Sequence, residues 1–305
     1  MVISVDPGNT KAMSSTSRCY FPTKLSLDPK MEPTGNSHLI TFEGKSYIIG
    51  EQAEKISFDV SKSNLVHKLA TYTAIAKLQQ ENSIQLTIGC PLSIFMNPEL
   101  KAEYKRFIMD NQDITIILDG ESYSFFIENA LILPEGAGVV YVYSSYFRKR
   151  RVAVIDLGGL NLNFCIYDNY VPQESSMFTL NHGGYDLQSS IRNSLNSKYA
   201  LSLNPQDIPH IVRQGGLRIQ GQLDSDSVSI VSSLITEYIN SIQQEIQRNG
   251  FNLDIIDVCF VGGTSRTIQK RLNELVTHAF IPDEPEWVNC MGFYKIGLMK
   301  YGQTA

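Results

Sequence analysis

Several short stretches of the chain hold residues whose types and spacing suit phosphate chemistry. VISVDPGNTK (2–11) is an apolar run that ends in Asp6, with Gly8, Thr10 and Lys11 in the turn behind it. VAVIDLGGLNLNFCIYD (152–168) repeats the plan with Asp156 and a glycine-containing turn before a second strand-like run. A glycine turn after a strand lets backbone N–H groups reach phosphate oxygens, because no Cβ stands in the way. A carboxylate beside those phosphates repels them unless a cation lies between. Asp6 and Asp156 are therefore intelligible as partners of a Mg²⁺-nucleotide, acting through the hydration shell that Mg²⁺ keeps. Lys11 and Thr10 would add a positive charge and a hydroxyl. Neither GxxxxGK[ST] nor a helix-opening GxGxxG is present, so this is neither a P-loop nor a dinucleotide fingerprint. Either stretch alone is equally an ordinary Asp-Gly hairpin turn. Two copies half a chain apart, each opening a unit, favour the nucleotide.

Two more stretches carry chemistry, each with two readings. In NALILPEGAGVVYVYSS (129–145), strand-like residues reach Pro134 and a helix is predicted from Glu135. Glu135 there either complements the helix dipole or orients and deprotonates a water for attack on a terminal phosphate. Gly136 and Gly138, poor helix formers, point to close packing or a hinge. In VCFVGGTSR (258–266), Gly262 and Gly263 before Thr264 either let a flat nucleoside lie on the backbone or form a plain strand-to-helix turn.

The elements that must position these residues follow from periodicity. HLITFEGKSYIIG (38–50) and ITIILDGESYSFFI (114–127) read as hairpins around Glu43-Gly44 and Asp119-Gly120. Residues 64–79 read as a helix with Leu65, Leu69, Tyr72, Ile75, Ala76 and Leu78 largely on one face. Residues 84–91 form a buried strand stopped by Pro91, and 98–111 an amphipathic helix with Pro98 in its first turn. In the second half, strands are predicted at 152–156, 161–168 and roughly 174–180. Helices follow at 184–200 and 226–250, then a strand at 256–263 and a helix at 286–302. Residues 11–20 and 161–167 read as the returning strands of two phosphate-facing hairpins. Strands followed by helices, twice over, imply an α/β protein of two units with a cleft between them.

Composition narrows the function. A net charge of −5 argues against direct nucleic-acid binding, which needs a basic face. The one basic cluster, Arg148 to Arg151, reads as a solvated connection. The five cysteines are scattered, three of them in apolar strand-like runs, as expected of small core residues in a reducing cytosol. The histidines are equally dispersed, which disfavours a His/Cys metal site. No apolar run approaches the ~20 residues of a membrane span, and no secretory signal is expected.

The order of these motifs resembles the actin/heat-shock chaperone/sugar kinase superfamily: strand-Asp-x-Gly, Pro-Glu-Gly-Ala, strand-Asp-Leu-Gly-Gly, then Val-Gly-Gly-Thr. Within it the chain is most similar to the plasmid-segregation actins, the ParM/StbA group. LTIGCPLSIFMNPELKAEYKRF (86–107) and LNHGGYDLQSSI (180–191) resemble that group's Gly-x-Pro-Leu and Gly-x-x-Asp segments. The resemblance implies two actin-like (ribonuclease H-like) domains, 1–147 plus 289–305 and 148–288, with a nucleotide cleft between them. It implies that Asp6 and Asp156 serve Mg²⁺, and that Gly8, Asn9, Thr10, Lys11, Gly158 and Gly159 serve the phosphates. Glu135 would position the water, and Gly262, Gly263 and Thr264 would meet the nucleoside, with Gly184 opening the Gly-x-x-Asp helix beside the nucleotide. Asn161 stands where a phosphate-facing Thr is common, and an amide can still donate a hydrogen bond. The first loop is shorter than the usual Asp-x-Gly-x-x-x-x-Lys.

The implied protein is a cytoplasmic ATPase or GTPase that polymerises with ATP or GTP bound and disassembles after hydrolysis, driving plasmid segregation. Its partners would be other copies of itself and a DNA-binding adaptor, with no membrane and no direct nucleic acid. The alternative is a sugar kinase of the same superfamily, some of which open with Asp-x-Gly-x-Thr-Lys. Those usually carry a clustered Cys/His zinc motif, whereas here the cysteines are scattered, and no dedicated sugar-binding Asn-Asp pair is identifiable.

Overall fold

The computed structural model describes residues 1–27, 32–56, 62–110 and 113–302. The chain divides into two compact units, Met1–Tyr143 with Trp287–Ala305, and Ser144–Glu286. The expected boundaries lay at 147/148 and 288/289, and aromatic packing accounts for the difference. Tyr146 stacks on Phe280 with ring centroids 4.4 Å apart, and Phe147 meets Tyr167 edge-on, so the short helix Ser144–Phe147 packs with the second unit. At the other end, Trp287 lies under the Arg18 guanidinium, 5.3 Å from the ring centre, in the first.

The first unit is built on a ten-stranded sheet. Strand Val2–Asp6 runs parallel to Ser83–Cys90, which runs parallel to the far half of Glu121–Pro134. On its other side Val2–Asp6 pairs antiparallel with Lys11–Met13, Asp6 opposite Lys11. The returning segment 11–20 is not one strand: it turns at Ser14–Ser17 and pairs with itself as Lys11–Met13 and Arg18–Tyr20. Both predicted hairpins form. Glu43 and Gly44 take φ of 49° and 73°, and Asp119 and Gly120 take 51° and 88°, the left-handed pairs that two-residue hairpins require. The strand after Gly120 does not stop at 127 but continues to Pro134 through an irregularity between Ile127 and Asn129, carrying the chain straight to Glu135.

Helix Leu65–Leu78 is capped by the Asn64 side chain and buries nearly its whole circumference, from Leu69 through Ala76, so its expected single apolar face is too narrow a description. Helix Pro98–Met109 begins behind Asn97, whose side chain accepts from the N–H groups of Glu99 and Leu100, and ends at Asp110 in the left-handed region. The last helix, Val288–Tyr301, lies against the opening strand, where Ser4 Oγ donates to Cys290 O at 2.9 Å. Glycines make that approach possible. A methyl at Gly292 would collide with the backbone of Gly138, and one at Gly138 would stand 2.6 Å from Asn289 Cα.

The second unit repeats the plan around a six-stranded sheet. Strand Arg151–Leu157 pairs antiparallel with Leu162–Asp168 and parallel with Asp257–Val261, which is parallel to Ala279–Phe280. The strand expected at 174–180 is shorter, Phe178–Leu180, because Glu174–Ser176 forms a 3-10 turn. Helices Gly184–Tyr199 and Ser225–Arg248 cover one face, the second capped by Asp224, whose carboxylate accepts from Ser227 N at 2.8 Å. All five cysteines are free and buried. Burial pushes the Cys19 thiol up to about 11 and those of Cys165 and Cys290 up to about 12. They are core residues, protonated at neutral pH.

Candidate functional site

In both units the chemistry-bearing residues gather where parallel strands end, the edge at which open α/β sheets expose loops to ligands.

In the first unit, strand Val2–Asp6 delivers Asp6 to a tight turn in which Gly8 N donates to Asp6 Oδ1 at 3.3 Å. The turn is tied down from behind by Thr23. Thr23 Oγ1 donates to Pro7 O (3.1 Å) and accepts from Thr10 N (2.9 Å), and it lies 2.7 Å from Thr10 Oγ1. Each hydroxyl has one proton. With the Thr23 proton on Pro7 O, the Thr10 proton goes to Thr23. Thr10 is fully buried, so it braces the loop from inside rather than presenting a hydroxyl outward. Asn9 and Gly8 form the exposed crest. Lys11 is folded back, its Nζ 3.3 Å from Asn9 O and 5.4 Å from the Tyr20 ring centre.

Thr23→Val removes all three contacts and leaves Pro7 O and both Thr10 donors unpaired in the interior. It is expected to cost about 2–3 kcal/mol, with Thr23→Ser recovering most of that. Thermal denaturation of the three proteins measures it, and equal midpoints for the Val variant and the wild type would remove the brace.

Glu135 follows Pro134 at the end of the neighbouring strand. It is not the start of a helix: the helix runs Gly138–Val142, and residues 135–137 form a turn. Glu135 N donates to Cys90 O at 2.9 Å, Gly136 takes φ of 88°, and Gly136 N donates to Asn289 Oδ1 at 2.9 Å. The dipole reading of Glu135 therefore loses its basis. The carboxylate is 9% exposed, and Lys62 Nζ, 8% exposed, lies 3.8 Å from Glu135 Oε1. Burial, reinforced by the charge of Glu135, pushes the Cys90 thiol well up. A methyl at Gly8 would sit 3.7 Å from Asp6 Oδ1 and 3.8 Å from Lys62 Nζ. Asp6, Gly8, Glu135 and Lys62 thus share one neighbourhood. Lys62 belongs to no motif in the sequence, and it reaches the site by a fold contact across 73 positions that periodicity does not carry.

In the second unit, Asp156 is buried in the last turn of strand Arg151–Leu157, and Gly158 N closes the following loop on Asn161 O at 2.9 Å. Gly158 O accepts twice, from Gly184 N at 2.9 Å and from Thr264 Oγ1 at 2.7 Å. Tyr185 N donates to Gly159 O at 2.9 Å, and the Tyr185 ring covers Gly159 so closely that a methyl there would stand 3.0 Å from it. Gly184 has no room for a side chain because Thr264 Oγ1 occupies the place. Gly262, at φ of 93°, has its missing Cβ position filled by Asp156 Oδ1. Asp156, Gly158, Gly159, Asn161, Gly184, Gly262 and Thr264 are therefore one interlocked cluster. Gly263 opens the helix that follows, with free space where its Cβ would be. The Thr264 proton is committed to the loop carbonyl, so its hydroxyl holds the loop's shape.

Among the described residues no three His, Cys, Asp or Glu side chains stand together to hold a metal. The first unit instead brings Asp6 and Glu135 to the ends of two strands, and the second brings Asp156 to a turn rich in small residues. No helix among the described residues is long and apolar enough to cross a membrane.

The model of the N-terminal domain of actin-like proteins matches residues 7–138. An Alp12 filament structure is 31% identical to the chain, with a TM-score of 0.71 over 98% of both chains. An archaeal actin homologue in crystals shares 17% identity at a TM-score of 0.83, covering 98% of this chain and 99% of its own. A 15-stranded ParM filament from Clostridium botulinum shares 19% identity at 0.76 over 98% and 99%. No curated protein matches the chain.

Proposed function

The chain belongs to the actin-like proteins, and from that premise we propose that it is a nucleoside triphosphatase that assembles into filaments and drives plasmid DNA segregation. The observation that carries this is the 31% identity with Alp12 across 98% of both chains, Alp12 having been solved as a filament. The fold-level likeness to a ParM filament supports it over a sugar kinase. An archaeal actin homologue of the same fold has been crystallised with ADP, which supports a nucleotide ligand here, ATP or GTP.

In this reading the first loop, Gly8 to Lys11, offers phosphates the Asn9 N–H at its crest, and the second, Gly158 to Asn161, that of Gly159, while the N–H groups of Gly8, Thr10 and Gly158 hold the loops in shape. Asp6 and Asp156, one carboxylate from each loop, cannot build an all-protein cage, and among the described residues no larger cluster does; either would suit a Mg²⁺ ion that keeps its water shell, which would supply positive charge against the phosphates. Glu135 accepts a hydrogen bond from the attacking water and takes its proton as the new P–O bond forms and the bond to the diphosphate leaving oxygen breaks. Gly262, Gly263 and Thr264 give the nucleoside a flat backbone surface, and Gly184 anchors the second loop beside it. Head-to-tail contacts between copies are heterologous and open-ended, which is why such a subunit makes filaments. The acidic net charge of −5 favours an adaptor protein as the link to DNA, and a cytoplasmic location follows from that role.

Sedimentation with Mg²⁺ and ATP or GTP is expected to show assembly above a threshold concentration, followed by disassembly as phosphate is released. A protein that stays monomeric at tens of micromolar with every nucleotide excludes the filament. Turnover accelerated many-fold by sugars would revive the kinase.

A further inference from the structure

One buried ammonium in the first unit makes no hydrogen bond among the described residues. Lys62 Nζ is 3.8 Å from Glu135 Oε1, well beyond the ~2.7–2.9 Å of a charge-assisted N–H···O bond. Among the described residues it has no other ion pair and no hydrogen bond. Lys11, by contrast, is spent on the Asn9 carbonyl and the Tyr20 ring. The Lys62 backbone sits at φ of 60°, a left-handed conformation that costs a lysine free energy, so the surroundings hold this residue where it is. Its ammonium faces Gly8, where a Cβ would stand 3.8 Å from it and 3.7 Å from Asp6 Oδ1. A cation desolvated this far needs close acceptors, and a loose contact with one carboxylate does not supply them.

A tetrahedral oxyanion resting on the first loop would supply them. We propose that Lys62 is a catalytic residue of the hydrolytic centre, binding the terminal phosphate oxygens against Gly8 while its charge holds the Glu135 carboxylate toward the attacking water. The proposal rests on the nucleotide reading given above. Charge bookkeeping favours it: two carboxylates, Asp6 and Glu135, already flank the place where a polyanion would sit. A lysine suits the task better than an arginine, because an ammonium is a compact charge whose three donors can be divided between two acceptors. In a loose phosphoryl-transfer transition state charge spreads over the equatorial oxygens, and a fixed cation lowers the barrier by meeting it.

The test is Lys62→Met, which keeps the stem and removes the charge, beside Lys62→Arg and the Glu135→Gln single and double variants. Single-turnover phosphate release from Lys62→Met is expected to fall roughly 10²–10³-fold, the range seen on losing one transition-state donor. Affinity for the Mg²⁺-triphosphate is expected to drop while that for the diphosphate, which lacks the terminal group, holds. Lys62→Arg should recover part of the rate, and adding Lys62→Met to Glu135→Gln should slow it little further, because the pair acts as a unit. Hydrolysis by Lys62→Met within about threefold of wild type overturns the proposal alone. So does an equal loss of di- and triphosphate affinity accompanied by a lower melting point, which marks a purely structural ion pair. A wild-type protein that binds no nucleotide overturns the parent reading and this one with it.

Discussion

Glu135→Gln is expected to slow phosphate release by roughly 10²–10⁴-fold, the range for removing a general base, while leaving nucleotide affinity almost intact. The expectation comes from how the residue is held. Its backbone N–H is fixed to Cys90 O, the next N–H to Asn289 Oδ1, and Gly136 turns the chain at φ of 88°, so the carboxylate leaves the strand end in one direction. It is only 9% exposed, and no helix starts there to give it a dipole to complement. Gln keeps the shape and some hydrogen-bonding capacity but cannot accept a proton at neutral pH. Rapid-quench measurement of phosphate release reads the rate, and sedimentation reads the second effect, assemblies that outlast those of the wild type. Unchanged release would return Glu135 to the role of an ordinary turn residue.

Gly292→Ala is expected to be strongly destabilising for a single added methyl, costing about 3 kcal/mol or more and lowering the melting midpoint by roughly 6–12 °C. The added carbon would meet the Cα and carbonyl of Gly138. Backbone inside two packed helices has nowhere to go, so the helices must separate. Gly297→Ala is the informative control. It sits on the same helix, but its methyl would meet the side chains of Val2, 2.7 Å away, and Thr87, 2.9 Å away, which can rotate aside. Because Asn289 lies on the helix that Gly292→Ala displaces, that variant should also lose phosphate-release activity in its folded fraction. Scanning calorimetry of both variants decides the matter, and equal midpoints would mean that the helix crossing yields.

Much of this was legible in the sequence because strand ends and turns are written locally. Asp6 and Asp156 stand out where an apolar run stops, and Glu43-Gly44 and Asp119-Gly120 name their own turn type. Local pattern failed where the outcome depends on what another segment does. The Thr10 hydroxyl reads as a phosphate ligand until Thr23, thirteen positions on, turns it inward. Residues 11–20 read as one strand because the turn at Ser14–Ser17 contains no glycine or proline. Glu135 stands out after its strand, but its turn reads as a helix, since the Gly136 conformation that delays the helix to Gly138 depends on Asn289. The periodicity of helix Leu65–Leu78 shows one apolar face, whereas its small threonines and alanines are buried too. Lys62 had no signal at all, being a single lysine whose meaning comes only from the carboxylate it approaches.

The second unit is one continuous stretch of chain, whereas the first is completed only by Trp287 and the residues after it. During synthesis the Ser144–Glu286 segment can therefore collapse on its own as soon as it clears the ribosome. The half that was translated earliest must wait for the final helix before Ser4 finds Cys290, 286 positions away. Loop-closure entropy over such a span, and the exposed sheet it leaves in the interim, make this half the slower to mature and the one most in need of chaperone protection.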